Sequence, residues 1–420
     1  MTILRARLWS RLSALIGGVE PEPASRREPR IAFWLLVPAL CLTMAGCGSM
    51  PRPEGPFRFA PEEIAQLQDT RLGANDIEAL RAFSRDLAAR LVSSETHTIL
   101  ALSGGGANGA FGAGVIVGWT QSGDRPRFDV VTGVSTGALT APFAFLGPDW
   151  DDELMAAYTD GRTDGLLSPG HLAILRGPSL FSASALRALV NESVTLDLLT
   201  AIAAEHAAGR TLLIATTNLD TQETVIWNMG LLATQGEAAL PLFRDVLVAS
   251  ASIPGVFPPV LIPGTNEAGQ VVMEMHVDGG VNTPFLAIPE ELLMWNAPRD
   301  LPGDAHLYIL LNGQLGRNTG VTPGRLGDIL ARTFDSVSKA QARQSLAANA
   351  AFASRNGLTL SLAAIPDDVS VSSLRFDTES MQALFEMGRS RSVSGQAWGP
   401  VALVERLTPA IAPEDGLQTP

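Results

Sequence analysis

Two short runs of small residues can each do chemistry: Gly104-Gly105-Gly106-Ala107-Asn108-Gly109, and Gly133-Val134-Ser135-Thr136-Gly137 downstream of it. The first follows an apolar run, opens a helical one and satisfies G-x-G-x-x-G, a spacing by which backbone amides at a helix N-terminus cradle a phosphate. The same amides and the same helix dipole can instead stabilise an oxyanion. The second run has the G-x-S-x-G spacing of a nucleophile elbow, where a strained strand-to-helix turn lifts a serine Oγ into the open. Gly133 and Gly137 leave room for that backbone and for close approach of neighbouring chain. A third run, His276-Val277-Asp278-Gly279-Gly280, ends a strand-like stretch on a carboxylate, and its two glycines let the chain turn away and leave Asp278 at the strand tip. Asp278 can there serve Ser135 as a base; taken alone, it reads better as the first residue of an Asp-Gly turn.

What lies between these runs decides how the first is used. A dinucleotide-binding unit wants an acidic residue at the end of its second strand, about twenty residues past the glycines. Here Asp124 and Asp129 precede or begin that strand, which ends instead in the elbow. The elements that position the runs alternate: "THTILALS" reads as a strand, "NGAFGAGVIVGWTQ" as a helix, "RFDVVTGV" as a strand and "TGALTAPFAFLG" as a helix. "RTLLIATTNL", "ETVIWNM" and "AHLYILLN" add further strands. Such an order predicts an α/β fold of three layers, α/β/α, on a mainly parallel central sheet. Ahead of it, Ile77, Leu80, Phe83, Leu87 and Leu91 fall on one face of a helix that packs at the domain edge.

The glycine-rich turn after a first strand, the G-x-S-x-G elbow and the Asp-Gly-Gly run, in that order, resemble the patatin-like phospholipase family of bacterial, lipoprotein type. The resemblance extends from about Thr96 to Thr283 and takes in the segments "ATTNLDTQETVIWNMG" and "ASASIPGVFPPV", to which no chemistry is assigned. It implies a patatin-like fold and a serine lipid acyl hydrolase of phospholipase A or esterase type, with no cofactor and a lipid or acyl ester as substrate. Ser135 would be the nucleophile, Asp278 its partner in a Ser-Asp dyad, and the N–H groups of Gly104, Gly105 and Gly106 the oxyanion hole. Asn108 stands where the family usually carries Arg or Lys. Backbone donors do not depend on that side chain, so what this puts in question is preference for an anionic head group. Two other readings stay open: an α/β-hydrolase-type esterase with a Ser135-Asp278-His306 triad, and a catalytically silent lipid-binding lipoprotein. His276, two residues before Asp278 and on the same strand face, is a further candidate base.

The N-terminus has a character of its own. Arg26 to Arg30 lead into the uncharged stretch Ile31 to Ala45, which suits a signal-peptide core better than a bilayer span, and Met44-Ala45-Gly46-Cys47 resembles a lipobox. The reading is a signal peptide over 1–46, lipidation at Cys47, a Pro/Gly-rich tether over 47–60, a helical segment over 61–95 and the hydrolase domain over 96–420. That places the protein in a bacterial cell envelope as a membrane-anchored lipoprotein, on the periplasmic face and most readily at the outer membrane. The two cysteines are Cys41 and Cys47, so processing would leave no internal disulfide. Five scattered histidines with no H-E-x-x-H spacing predict no metal. Residues 1–46 carry six Arg against three Glu, a net of +3, in a chain of net charge −13, so the remainder stands at −16. That argues against a nucleic-acid partner. No polybasic run is present either, so lipid contact is expected from the acyl anchor and apolar surface. Trp119, Trp150, Trp227 and Trp295 can line an acyl channel or pack in the core, "LAILRGPSLFSASALRAL" can be a lid or a packing helix, and Asn282 can orient the Asp278 loop or shape a turn.

Overall fold

The computed structural model describes residues 69–91, 96–164, 181–265, 270–289, 304–317 and 319–401, with a few isolated positions between them. In chain order these form β1 (Arg71–Gly73), α1 (Ile77–Leu91), β2 (Thr96–Leu102), α2 (Gly109–Ser122), β3 (Val130–Val134) and α3 (Thr136–Leu146). Next come α4 (Asp151–Thr159), α5 (Ala183–Ser193), α6 (Leu196–Ala207), β4 (Thr211–Asn218), β5 (Glu223–Asn228), α7 (Met229–Ala233) and α8 (Leu240–Ser250). The chain closes with β6 (Val260–Thr265), β7 (Val271–Asp278), β8 (Asp304–Leu311), α9 (Leu326–Asn356), β9 (Thr359–Ala364), α10 (Thr378–Val393) and β10 (Gly399–Pro400). The expected signal peptide and Cys47 lie outside the described residues, as does most of the expected tether. Within that tether Arg52 is described, and both its terminal nitrogens bond Asp220 at 2.7 Å. At that residue the chain therefore lies against the body rather than free of it.

The strands form one sheet in the order β1-β5-β4-β3-β2-β8-β9-β10, with β7 pairing β4 and β6. Strands β4, β3, β2, β8 and β9 are parallel at its centre, and antiparallel pairs are added outside them. Period-two alternation explains the layers. Leu100 and Leu102 of β2, with Leu212 and Ile214 of β4, face one core, which α2, α3, α5, α6 and α10 cover. Ala101 of β2 and Leu307, Ile309 and Leu311 of β8 face the other side, under Leu346 of α9, while Leu213 and Ala215 of β4 meet Leu80 of α1. The expected α/β/α layering is present. Helix α2 is so deeply sandwiched that glycine is needed where it crosses α10: a Cβ on Gly114 would overlap the Phe385 carbonyl, and one on Gly388 would overlap that of Phe111. Among the described residues no helix is long and apolar enough to cross a membrane.

Candidate active site

Register brings the serine and the carboxylate together. Strand β4 pairs with β3 up to Val134 opposite Ala215, and from Thr216 onward with β7, so that Thr216 lies opposite Asp278. Asp278 therefore sits beside the point where the chain leaves β3 and turns into α3. Ser135 occupies that turn with φ 56° and ψ −126°, a conformation rare for a residue with a Cβ. Its Oγ donates to Asp278 Oδ2 at 2.6 Å, and both residues are buried, at 4% and 5% exposure.

Close packing holds the strained turn. A Cβ on Gly133 would lie 2.5 Å from the Gly137 carbonyl, and one on Gly137 would lie 2.5 Å from that of Leu102. Both elbow glycines are there for backbone contact. Tyr158 of α4 supports the first turn of α3, its hydroxyl within 3.0 Å of the Thr136 carbonyl, the Thr136 hydroxyl and the Thr140 hydroxyl. The Ser135 N–H donates to Ser250 Oγ at 3.0 Å, which in turn donates to the Ala215 carbonyl. Two residues on, the Ser252 carbonyl accepts the Asp278 N–H at 2.9 Å. The segment Ser250-Ala251-Ser252, given no chemistry in the sequence, thus fixes the backbone of both partners; only its place in the fold identifies it.

Asp278 Oδ1 accepts the Gly280 N–H at 2.7 Å, which is why the glycine turn follows directly, and Gly279 lets the chain press on the Ala215 carbonyl, 2.5 Å from where its Cβ would be. Asn282 ties this loop to the Gln222 carbonyl at 3.2 Å. Burial pushes the Asp278 carboxyl up to about 7, against the opposing pull of its hydrogen bonds from Ser135 and Gly280. A carboxyl near neutrality can accept a hydroxyl proton in passing, as one near its ordinary value of 3.8 cannot do efficiently.

The glycine-rich turn lies over this pair. A Cβ on Gly104 would be 3.1 Å from Ser135 Cβ and 3.7 Å from its Oγ. One expectation changes here: the Gly104 N–H is not free to serve an oxyanion, because it donates to the Pro284 carbonyl at 3.1 Å. Ala107 donates to the Ser373 carbonyl at 2.9 Å and Asn108 to that of Gly105. This leaves Gly105 and Gly106 as the amides of the loop with no protein acceptor among the described residues. Asn108 is buried at 5% exposure, so it cannot reach a solvated head group.

From Ser135 and Gly106 an open cavity runs between α3, α4, α5 and α8. Leu139, Phe143, Leu186, Val190, Phe257 and Met381 make its walls almost wholly apolar. Helix α5, the described part of the segment read as lid or packing helix, is one of those walls. The tryptophans are not: Trp119 packs on Phe128, Tyr308 and Trp398, Trp150 on Phe143, and Trp227 on His276. Trp295 lies outside the described residues.

Neither histidine meets the serine. His276, fully buried, has its ring between Thr216 Oγ1 at 3.0 Å and Glu274 Oε2 at 3.1 Å, and burial holds its pKa below the usual histidine range. His306 pairs with Thr98 near the start of β2, four residues before Leu102 opposite Leu310, so it is about 13 Å from the serine end of the sheet. It bonds Ser361 Oγ at 2.8 Å and stacks on Tyr308. The triad with His306 is therefore ruled out by distance, and a base role for His276 by its partners. His276→Ala and His306→Ala, checked for folding by circular dichroism, are expected to keep kcat/KM on a short-chain ester within about tenfold of wild type. A collapse in either folded variant would put a histidine back into the reaction.

Residues 100–288 match the family model described as patatin-like phospholipase. No curated protein matches the chain. Among solved structures it is similar to VipD from Legionella pneumophila, with 14% identity over 70% of this chain and 67% of that one and a TM-score of 0.32. It is also similar to the type III effector protein ExoU, with 14% identity over 72% of this chain and 53% of that one and a TM-score of 0.31. The chain thus spans about half the length of ExoU.

Proposed function

Because residues 100–288 are a patatin-like phospholipase domain, the domain of a lipid acyl hydrolase, we propose that this one works through a Ser135-Asp278 dyad and an acyl-enzyme. The observation that carries the reading is the 2.6 Å bond from Ser135 Oγ to Asp278 Oδ2 at the end of an apolar cavity. An acyl chain lies in the cavity, its carbonyl carbon against Oγ and its oxygen toward the Gly105 and Gly106 amides. As Oγ attacks, Asp278 takes its proton and the amides meet the charge that develops on oxygen. The N-termini of α2 and α3 converge here, since a Cβ on Gly109 would overlap Thr136, and both add positive dipole. Asp278 then returns the proton to the departing alcohol. Water, deprotonated by the same carboxylate, releases the fatty acid.

Ser135→Ala tests the proposal against a silent lipid-binding protein of the same fold. A fluorophosphonate probe is expected to label the wild type and to leave Ser135→Ala unlabelled, with mass spectrometry placing the adduct on Ser135. Labelling of both proteins alike, or of neither, would refute it.

The chain is further proposed to be a bacterial lipoprotein of the cell envelope, cleaved before Cys47 and acylated there, which would hold the cavity near its substrate. The support is the lipobox-like Met44-Ala45-Gly46-Cys47 after an apolar core. Cys47→Ala should move the protein out of the membrane fraction or leave it as uncleaved precursor. Processing and fractionation unchanged from wild type would remove the anchor.

A further inference from the structure

Helix α9 does two different things along its length. Around Leu346 it packs on the sheet, and further along it Phe352 and Ala353 are buried. Before that, Gln341 reaches the Val281 carbonyl, three residues past Asp278, and Arg343 reaches that of Leu315, just past the end of β8. Both contacts are at the edge of the sheet that carries Ser135. Residues 326–340, about 22 Å of helix at 1.5 Å per residue, continue from that edge, and none of their described side chains is buried. Yet this half is not polar all round: Ile329, Phe334 and Val337 are 46%, 42% and 51% exposed and fall within one apolar stripe, and Val321 in the preceding loop is 99% exposed.

The charge beside the stripe differs from that of the rest of the molecule. Residues 317–343 hold five basic side chains, Arg317, Arg325, Arg332, Lys339 and Arg343, against Asp328 and Asp335, in a chain of net charge −13. No run of basic residues appears in the sequence because they are spaced along it. Helical winding sets Arg332 and Arg343 along one side of the apolar stripe, with Asp328 and Asp335 further round, and Arg325 stands just before the helix begins. Asp335 is engaged by Lys339 at 3.1 Å and pairs with Arg332 at 3.9 Å.

We propose that the projecting half of α9, with the loop before it, docks on an anionic lipid surface, Ile329, Phe334 and Val337 entering the interface and the flanking arginines meeting the head groups. The inference rests on the reading of the site as a lipid hydrolase, because docking at this edge turns the Ser135 end of the sheet toward the bilayer that holds the substrate. It assigns surface recognition to a part of the chain beyond residues 100–288.

The test places an environment-sensitive fluorophore at Val337→Cys, or at Ser354→Cys as control, in the full chain carrying Cys41→Ser, Cys47→Ser and Ser135→Ala. Both positions are exposed on the same helix, about 26 Å apart. With vesicles of equal parts phosphatidylcholine and phosphatidylglycerol, the probe at 337 is expected to shift to the blue and to be quenched from within the bilayer, while the probe at 354 is unchanged. The response should weaken in high salt and on pure phosphatidylcholine. No response at 337, an equal response at both positions, or a concentration-dependent shift without vesicles, which would mean a second copy covers the stripe, each overturns the proposal. In the active chain, Phe334→Asp with Val337→Asp should lower the rate on those vesicles at least tenfold and leave the rate on a soluble short-chain ester within about twofold. Loss of both rates alike overturns the docking role, whereas failure of the wild type on the soluble ester would count against the hydrolase reading itself.

Discussion

Asp278→Asn is expected to lower kcat/KM on a short-chain ester by about 10³ or more, and at the same time to make the protein harder to unfold at pH 8. The first effect follows from chemistry: asparagine keeps the shape and can still accept the Gly280 N–H, but its amide nitrogen can only donate to Ser135 Oγ and cannot take the Ser135 proton. The second follows from burial. The Asp278 carboxyl stands at about 7 in the folded protein against 3.8 ordinarily, so between those values the folded state holds a proton that the unfolded chain has released. Stability therefore falls as pH rises from about 4 to about 7, and above that the folded protein carries a penalty of the order of 4 kcal/mol for keeping the carboxylate ionised out of water. Asparagine carries no such penalty. The variant should melt several degrees above wild type at pH 8, on the order of 5 °C or more, with the gap closing toward pH 4. The wild-type kcat/KM should rise with pH through an apparent pKa near 7. A melting gap of the same size at pH 4 and pH 8 would show that the carboxyl is not raised by burial, and full activity in the folded variant would show that it is not the base.

What was readable in the sequence, and what was not, divides along the range of the interactions. Ser135 and Asp278 were legible because each sits in a local pattern of glycines whose only use is backbone approach. The strands were legible because β2, β3 and β4 are short apolar runs bounded by turns. The run ending at Asp278 was legible as a strand, but its antiparallel pairing with β6 and its docking on β4, which carry Asp278 to the end of β3, were not; no local signal says where such a ribbon will dock. The use of the Gly104 N–H was hidden for the same reason, since its acceptor, Pro284, is 180 residues away. Ser250 and Ser252 looked like any small residues before a proline. The basic row on α9 disappears in a linear reading and exists only once the helix winds. His306 looked like a triad member from its position in chain order, and only strand register shows it at the far end of the sheet.

The second large effect is expected in the glycine-rich turn, from Gly105→Ala or Gly106→Ala. These are the two amides of the loop with no protein acceptor among the described residues, so the oxyanion depends on their position. Neither residue has room for a methyl group. A Cβ on Gly105 would overlap the Asn312 carbonyl oxygen and lie 2.6 Å from Asn312 Cβ, and one on Gly106 would overlap the Ser373 carbonyl oxygen. Gly106 also has φ +56°, where alanine is strained. The obstacles are backbone atoms held by their own bonds: Asn312 N–H donates to Ser103 Oγ at 2.8 Å, and the Ser373 carbonyl accepts from Ala107. Relief must therefore come from the loop, which moves its amides off the oxyanion while Ser135 and Asp278 stay in contact. Loss of a positioned donor of this kind costs about 10²–10³ in kcat with little change in KM, because the donor matters only once charge has developed. The matched control is Gly123→Ala at the end of α2, where φ is +81° and nothing lies within 4 Å of the new Cβ. That change costs about 1–2 kcal/mol of stability and should leave kcat alone. If Gly105→Ala and Gly106→Ala, folded and still labelled at Ser135 by fluorophosphonate, turned over ester at the wild-type rate, the oxyanion would have to be bound elsewhere, and the amides of Thr136 and Gly137 at the start of α3 would be the next place to look.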